Sequence, residues 1–161
     1  MKEKILIVYY SYSGKTREIA ESIEKQTGGK RSQIYPRQPY PADFECLLNQ
    51  VREETQAKKF PSLLPITENA DQYDVIFAGS PNWCGTIAPP LAAWLRKNNL
   101  TGKVLLPFFS HCGGEDKGME QTVRNICPGA KVGTSLYVLE NGREKLPAMV
   151  QAWLKQNFPG K

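Results

Sequence analysis

The sequence has few of the residues that build metal sites and disulfide frameworks. It contains one histidine and four cysteines in 161 residues. The cysteines stand at positions 46, 84, 112 and 127, and no two of them form a Cys-x-x-Cys pair. Zinc sites need closely spaced cysteine and histidine ligands. The sequence therefore predicts no bound metal and cysteines in the reduced form.

Long hydrophobic runs are also missing. The apolar stretch near the start extends only from Ile5 to Tyr10, which is too short for the core of a signal peptide. No stretch approaches the ~20 residues that a membrane-spanning helix needs. We therefore expect a cytoplasmic protein that does not bind membranes.

A strong charge of one sign is absent as well. The chain has 21 Lys+Arg against 16 Asp+Glu, which gives a net charge of +5 and a pI of about 9.0. Its densest basic clusters are Lys30-Arg31 and Lys58-Lys59, whereas nucleic-acid binding requires a clustered basic stripe. The sequence predicts no nucleic-acid partner, and its mild positive excess suits an anionic cofactor or an acidic partner.

Apolar runs typical of strands alternate five times with patterns typical of helices. The predicted strands are residues 4–10, 32–35, 74–79, 103–109 and 131–139. Asp43 is predicted to cap the second helix, with Phe44 on its buried face. The repeated alternation predicts one α/β domain over residues 1–161, with a parallel sheet between two layers of helices. Ligands of such sheets bind beyond the carboxyl ends of the strands.

The loop after the first strand has the composition of an anion site. It comprises Ser11, Tyr12, Ser13, Gly14, Lys15 and Thr16 and opens directly into a helix. The free N–H groups and the dipole of a helix N-terminus favour an anion. A plain helix cap made by Ser13 is the alternative, but it would account for only one of the hydroxyls. The loop is therefore interpreted as a phosphate site.

Several related motifs are excluded by single positions. A P-loop needs a glycine five positions before its Gly-Lys pair, where this chain has Tyr9. A dinucleotide-binding turn needs three glycines, and only Gly14 is present. The spacing from Cys46 to Arg52 fits a tyrosine phosphatase, but the residues between them form a helical pattern without glycine.

Two further loops follow the third and fourth strands and should meet the first. An aromatic side chain among turn-forming residues, Trp83, is a candidate for stacking on a flat ring. Glycines in the later loop allow backbone amides to approach a ligand. The candidate cofactor-binding residues in these loops are Ser80, Pro81, Asn82, Trp83, Cys84, Gly85, Thr86, Ser110, His111, Cys112, Gly113, Gly114, Asp116 and Gly118.

These three loops resemble those of the flavodoxins. The resemblance rests on Tyr10-Ser11-Tyr12-Ser13-Gly14-Lys15-Thr16 and on the Trp-x-Gly-Thr-x-x-Pro-Pro stretch that begins at Trp83. It implies a flavodoxin-like three-layer sandwich with a five-stranded parallel sheet in the order 2-1-3-4-5. It also implies FMN as the cofactor, with its phosphate in the first loop and its ring between the other two. Lys15 departs from the asparagine that many relatives have there.

The resemblance leaves the reaction open. It implies an FMN-binding redox protein that transfers electrons to a partner protein or to a small acceptor. An NAD(P)H-dependent quinone reductase and a binding module that has lost the flavin remain as alternatives. The positive charge predicts a higher reduction potential than that of acidic flavodoxins. A redox dithiol formed by Cys84 and Cys112 is a further, less favoured hypothesis.

Overall fold

A computed structural model describes residues 3–83, 85–111, 118–139 and 143–158. The helices are α1 (Lys15–Thr27), α2 (Phe44–Ala57), α3 (Pro89–Lys97), α4 (Met119–Ile126) and α5 (Leu146–Asn157). The strands are β1 (Ile5–Tyr9), β2 (Lys30–Gln33), β3 (Val75–Trp83), β4 (Thr86–Ile87), β5 (Val104–His111), β6 (Lys131–Val132) and β7 (Leu136–Leu139). Within these ranges, no helix combines the length and the apolar composition that crossing a bilayer requires.

The strands form one sheet with the predicted order. β1 lies between β2 and β3, β5 follows β3, and β6 and β7 both pair with β5, all in parallel. β4 runs antiparallel against the end of β3. With β6 and β7 taken as one interrupted strand, the predicted order 2-1-3-4-5 is confirmed.

Alternation along the strands gives the sheet two buried faces. Leu6 and Val8 of β1 belong to the core that also contains apolar residues of α2, α3 and α4. Ile7 and Tyr9 belong to the opposite core, which contains those of α1 and α5. A strand that is covered on both faces reads as a continuous apolar run, so the predicted helix layers on both faces are confirmed.

The register of the three central strands aligns one residue from each of them across the sheet. Tyr9 of β1 is beside Gly79 of β3, which is beside Phe108 of β5. A Cβ atom at position 79 would lie 2.2 Å from Cε2 of Phe108, so only glycine allows the Phe108 ring to occupy this place. Because the strands are in register, the chain leaves β1, β3 and β5 at the same edge of the sheet.

Two expectations for the second βα unit are wrong in detail. β2 covers Lys30–Gln33 instead of residues 32–35, because pairing with β1 and not hydrophobicity determines where this polar edge strand lies. Asp43 does cap α2, accepting a hydrogen bond from the Cys46 N–H at 3.2 Å. Phe44, however, is 62% exposed, because the first turn of α2 lies in solvent.

The predicted fifth strand, residues 131–139, is interrupted between β6 and β7. There the Thr134 N–H donates to Oδ1 of Asn157 (3.2 Å). The N–H and the hydroxyl of Ser135 both donate to Oε1 of Glu120 (2.9 and 2.7 Å). Side chains of α5 and α4 thus replace the hydrogen bonds of a continuous strand, which periodicity alone could not reveal.

Glu120 is held in its ionised form at this interruption. Burial alone would raise its pKa, but hydrogen bonds from Ser135 and the charge of Arg124 outweigh burial and lower the pKa below the usual 4.5. A carboxyl with a lowered folded-state pKa stabilises the fold above the unfolded-state pKa. This stabilisation is lost as the pH falls through the folded-state pKa.

We expect the substitution Glu120→Gln to lower the free energy of unfolding by about 1 kcal/mol at neutral pH, because hydrogen bonds to a charged acceptor become bonds to a neutral one. The difference from the wild type should shrink as the pH falls below about 4.5. Urea unfolding of both proteins at a series of pH values measures this difference in the free energy of unfolding. Glu21→Gln, which removes an α1 carboxylate that has no ion pair among the described residues, is the control. A Glu120→Gln difference that is equal at neutral and acid pH would contradict the assignment.

Candidate functional site

The loop after β1 is organised by the hydroxyl of Ser11. Its oxygen accepts hydrogen bonds from the N–H groups of Gly14 (3.1 Å) and Arg17 (3.3 Å). Ser11 therefore performs the capping that the sequence allowed for Ser13, and α1 begins after Gly14, whose φ is 96°. Because the Ser11 oxygen accepts twice, its own proton remains to be donated to another group.

The same loop contains donors for which the described residues provide no acceptor. The backbone N–H groups of Ser13, Lys15 and Thr16 have no acceptor among the described residues. The Ser13 side chain is exposed. These groups surround the N-terminus of α1, where the helix dipole adds a partial positive charge. The donor set fits an anion such as a phosphate group.

Thr16 has a different environment from the other hydroxyl residues of the loop. Its side chain is 1% exposed, and its Oγ1 lies 2.9 Å from Oγ of Ser110, which is 2% exposed. This hydrogen bond joins the start of α1 to the end of β5. Thr16 can therefore offer a ligand its backbone N–H, while its hydroxyl is already paired inside the protein.

Four aromatic rings pack together beside this loop. Trp83 meets Tyr40, Tyr10 and Tyr12 edge to face, with centroid distances of 5.2, 5.4 and 5.7 Å. Trp83 is 6% exposed and Tyr12 is 38% exposed. A ligand ring could contact Tyr12 directly, whereas stacking on Trp83 would require a neighbouring ring to move. Stacking on Trp83 stays a prediction.

The proline-rich loop, residues 36–42, closes over this aromatic cluster. The Tyr12 hydroxyl donates to the Pro41 carbonyl, and the Tyr40 hydroxyl donates to Oε1 of Glu54, both at 2.7 Å. Burial raises the pKa of Tyr10 and Tyr40 far above that of a free phenol, and for Tyr40 the bond to Glu54 adds to the rise. Both therefore remain neutral.

Sequence reasoning missed Tyr10 and Tyr40 as parts of this site. Tyr10 lies directly after β1; it belongs to the predicted strand and to the motif of the family resemblance, but not to the candidate cofactor-binding residues. Tyr40 comes from a loop that the site argument did not use. Its signal was that it is the only aromatic residue between the three prolines of residues 36–42.

The predicted second loop is largely strand. β3 continues past Gly79 to Trp83, with Pro81 beside Ser110 of β5. The extension is supported by a hairpin in which Trp83 pairs with Thr86 of β4. Ser80, Pro81, Asn82 and Trp83 are thus held in a strand, which corrects the expectation of a loop.

Two polar side chains of this hairpin are occupied within the protein. The fully buried Ser80 hydroxyl donates to the Pro81 carbonyl (2.7 Å) and accepts from the Ala88 N–H (2.8 Å), which fastens β3 to the start of α3. Oδ1 of Asn82 accepts from the Gly85 N–H (2.8 Å). A role for these residues in cofactor binding stays a prediction.

The third loop is described only at its two ends. His111 ends β5, where it is half-buried and lies beside Leu139 of β7. Gly118, with a φ of 89°, precedes α4. The remaining candidates lie outside the described residues, and so does the proposed dithiol; they are Cys84, Cys112, Gly113, Gly114 and Asp116.

The family of the chain follows from a sequence match over nearly its whole length. Residues 4–157 match the flavodoxin family. The chain belongs to the flavodoxin family. Membership supports a flavin cofactor, and the N–H groups of Ser13, Lys15 and Thr16, which have no acceptor in the described ranges, fit the phosphate that such a cofactor can carry.

Individual relatives of this flavodoxin-family chain are distant. A candidate flavoprotein from Bacteroides eggerthii is 26% identical, with a TM-score of 0.82 over 95% of this chain and 96% of that one. A flavoprotein from Lactobacillus acidophilus, solved in complex with FMN, is 23% identical and shares the fold, with a TM-score of 0.74 over 91% of this chain and 98% of that one.

A further relative carries the name of an enzyme. An NAD(P)H dehydrogenase (quinone) from Paraburkholderia phymatum is 28% identical over 138 residues. The match covers 76% of this chain and 65% of that protein. The chain therefore spans less than two thirds of the length of this relative.

We expect the buried bond between Thr16 and Ser110 to couple the two substitutions Thr16→Val and Ser110→Ala. Each alone should lower the free energy of unfolding by about 1–3 kcal/mol, because it leaves a buried hydroxyl unpaired. The double variant should lose less than the sum by about 1 kcal/mol. Urea unfolding without added flavin measures this coupling. Strict additivity would show that the two hydroxyls do not interact.

Proposed function

We propose that this flavodoxin-family chain binds FMN where β1, β3 and β5 end and transfers electrons through it. The observation that carries the proposal is the set of donors in residues 11–16 that have no acceptor among the described residues. When bound, FMN supplies the one- and two-electron redox chemistry that side chains lack. The residues of the chain bind it, orient it and shield it from water.

The first loop would hold the phosphate of FMN. The donors available to it are the backbone N–H groups of Ser13, Lys15 and Thr16, the exposed hydroxyl of Ser13 and the hydroxyl hydrogen of Ser11. The positive end of the α1 dipole and the charge of Lys15 favour the same anion. The FMN complex of the Lactobacillus acidophilus flavoprotein supports this choice of cofactor.

The aromatic cluster would orient the ring of the cofactor. Tyr12 has the largest exposed fraction of its four rings, so we assign ring contact to Tyr12. Trp83 would support Tyr12 through their edge-to-face packing at 5.7 Å. The bond from Tyr12 to the Pro41 carbonyl limits the rotation of the Tyr12 ring, which favours one orientation of a bound ring.

The phosphate assignment is tested with a pair of ligands that differ only in the phosphate, FMN and riboflavin. We expect Ser13→Ala to weaken FMN binding about tenfold or more, since it removes a hydrogen bond to a charged group. Riboflavin binding should change little. Titration followed by flavin fluorescence measures both dissociation constants. Ser22→Ala, on α1 and away from its N-terminus, is the matched control and should bind both ligands as the wild type does.

A second pair of variants addresses the backbone of the loop. Gly14 and Gly28 stand at the two ends of α1, with φ values of 96° and 74°. Alanine at either position should cost roughly 1–2 kcal/mol of stability, but only Gly14→Ala should weaken FMN binding. Unchanged FMN affinity in both Ser13→Ala and Gly14→Ala would refute the phosphate site. A protein that binds no FMN would support the flavin-free binding module instead.

A quinone reductase is the second candidate, favoured by the curated relative from Paraburkholderia phymatum. The two functions differ in the source of electrons. A reductase loaded with FMN should lose its yellow colour on anaerobic addition of NADH or NADPH, and a quinone should restore it. We expect the chain to behave as an electron carrier, which keeps its yellow colour until a separate reductase protein is added. Absorbance at the flavin band during mixing decides between them.

A further inference from the structure

A groove outside the candidate cofactor site lies between α3 and the segment that follows α2. It is lined by Arg37, by residues 60–63 and by Ala93, Arg96 and Lys97 of α3. The volume of the groove is about 470 Å³. We call this surface the basic groove, because three separate segments of the chain contribute to it and two of them provide its positive charges.

The positive charges of the basic groove lack counter-charges in the ranges that the structure describes. No carboxylate lines it, and Arg37, Arg96 and Lys97 form no ion pair within the described part of the chain. The Arg96 guanidinium lies 4.6 Å from the centre of the Phe60 ring, which keeps this charge at the groove. Unpaired cations that face one groove favour an anionic partner.

A short ribbon forms one wall and continues beyond the groove. Pro36 and Leu63 form an antiparallel bridge, and next to it the Leu64 N–H donates to the Tyr35 carbonyl at 2.8 Å. Side chains alternate between the two faces of such a ribbon. Pro36 is buried and Leu63 packs on the core, so Tyr35, Arg37 and Leu64 share the outer face.

This outer face is apolar as well as charged. On this face Tyr35 is 52% exposed and Leu64 is 43% exposed. Phe60, in the groove itself, is 39% exposed. Exposed apolar residues beside positive charges indicate an interaction site, and tyrosine, phenylalanine and arginine are enriched in protein interfaces. A small inorganic anion would use the charges and gain nothing from this apolar margin.

We propose that the basic groove docks a protein partner whose surface presents carboxylates beside apolar residues. The groove is close to the aromatic cluster, since Arg37 is three residues from Tyr40 and at most about 11 Å of chain separates their Cα atoms. A docked partner would therefore lie beside the candidate cofactor site. Its identity as the electron donor or acceptor rests on the proposed function, whereas the docking itself does not.

The experiment uses an acidic peptide as the probe, Glu-Glu-Leu-Glu-Phe-Glu-Glu, titrated into isotope-labelled protein and followed by backbone amide shifts. We expect saturable shifts at Arg37, Ser62 and Arg96. The charge reversal Arg37→Glu with Arg96→Glu should weaken binding at least about tenfold. The control reverses Lys25 and Lys155 to glutamate, which changes the net charge equally on the α1 and α5 layer. The dissociation constant of this control for the peptide should stay within about threefold of that of the wild type.

Other results would overturn the proposal. Equal weakening by both double variants would mean that only the net charge attracts the peptide. Tighter binding of a single-stranded oligonucleotide of equal charge at the same amides would identify a polyanion site, and no saturable shift would mean no docking site. Arg37→Gln with Arg96→Gln, checked for an unchanged amide spectrum, repeats the test with a milder change. FMN titration of the wild type separates the two proposals. A protein that binds no FMN would count only against the cofactor site, and a protein without saturable peptide shifts would count only against the docking site.

Discussion

The structure depends on the register of three parallel strands, β1, β3 and β5, in which Tyr9, Gly79 and Phe108 lie side by side. The missing side chain at position 79 is the condition for this register, because the Phe108 ring fills its place. A shift of β3 by one residue would turn every β3 side chain to the other face of the sheet and remove Trp83 from the aromatic cluster. The candidate site therefore depends on the register of β1, β3 and β5, which brings their carboxyl ends to the same edge of the sheet.

The arrangement of the fold could be predicted where burial on both faces produces long apolar runs. β1, β3 and β5 have such runs, and their order followed from the family resemblance. Prediction failed where distant side chains decide the local structure. The interruption between β6 and β7 depends on Glu120 and Asn157, and no local pattern contains that information. β2 is polar, so its limits follow from its pairing with β1.

The candidate site was predictable only where one segment carries it. The hydroxyls and the glycine of residues 11–16 form a local motif, in which the N–H groups of Ser13, Lys15 and Thr16 have no acceptor among the described residues. The assignment of hydroxyls to tasks was not predictable. Ser11 caps the helix, while Thr16 turns inward to Ser110, 94 residues away. Tyr40 joins the cluster through packing with Trp83, a contact between segments that sequence spacing does not encode.

The interruption of the last strand has a consequence for how the molecule behaves at high concentration. An edge strand offers a row of unpaired backbone groups to other chains, and long flat edges promote aggregation. On this side the sheet ends, within the described ranges, in β6 and β7, which are two and four residues long. Between them, helix side chains already occupy the backbone N–H groups of Thr134 and Ser135. The edge is thus too short and too irregular to serve as a template for intermolecular strand pairing.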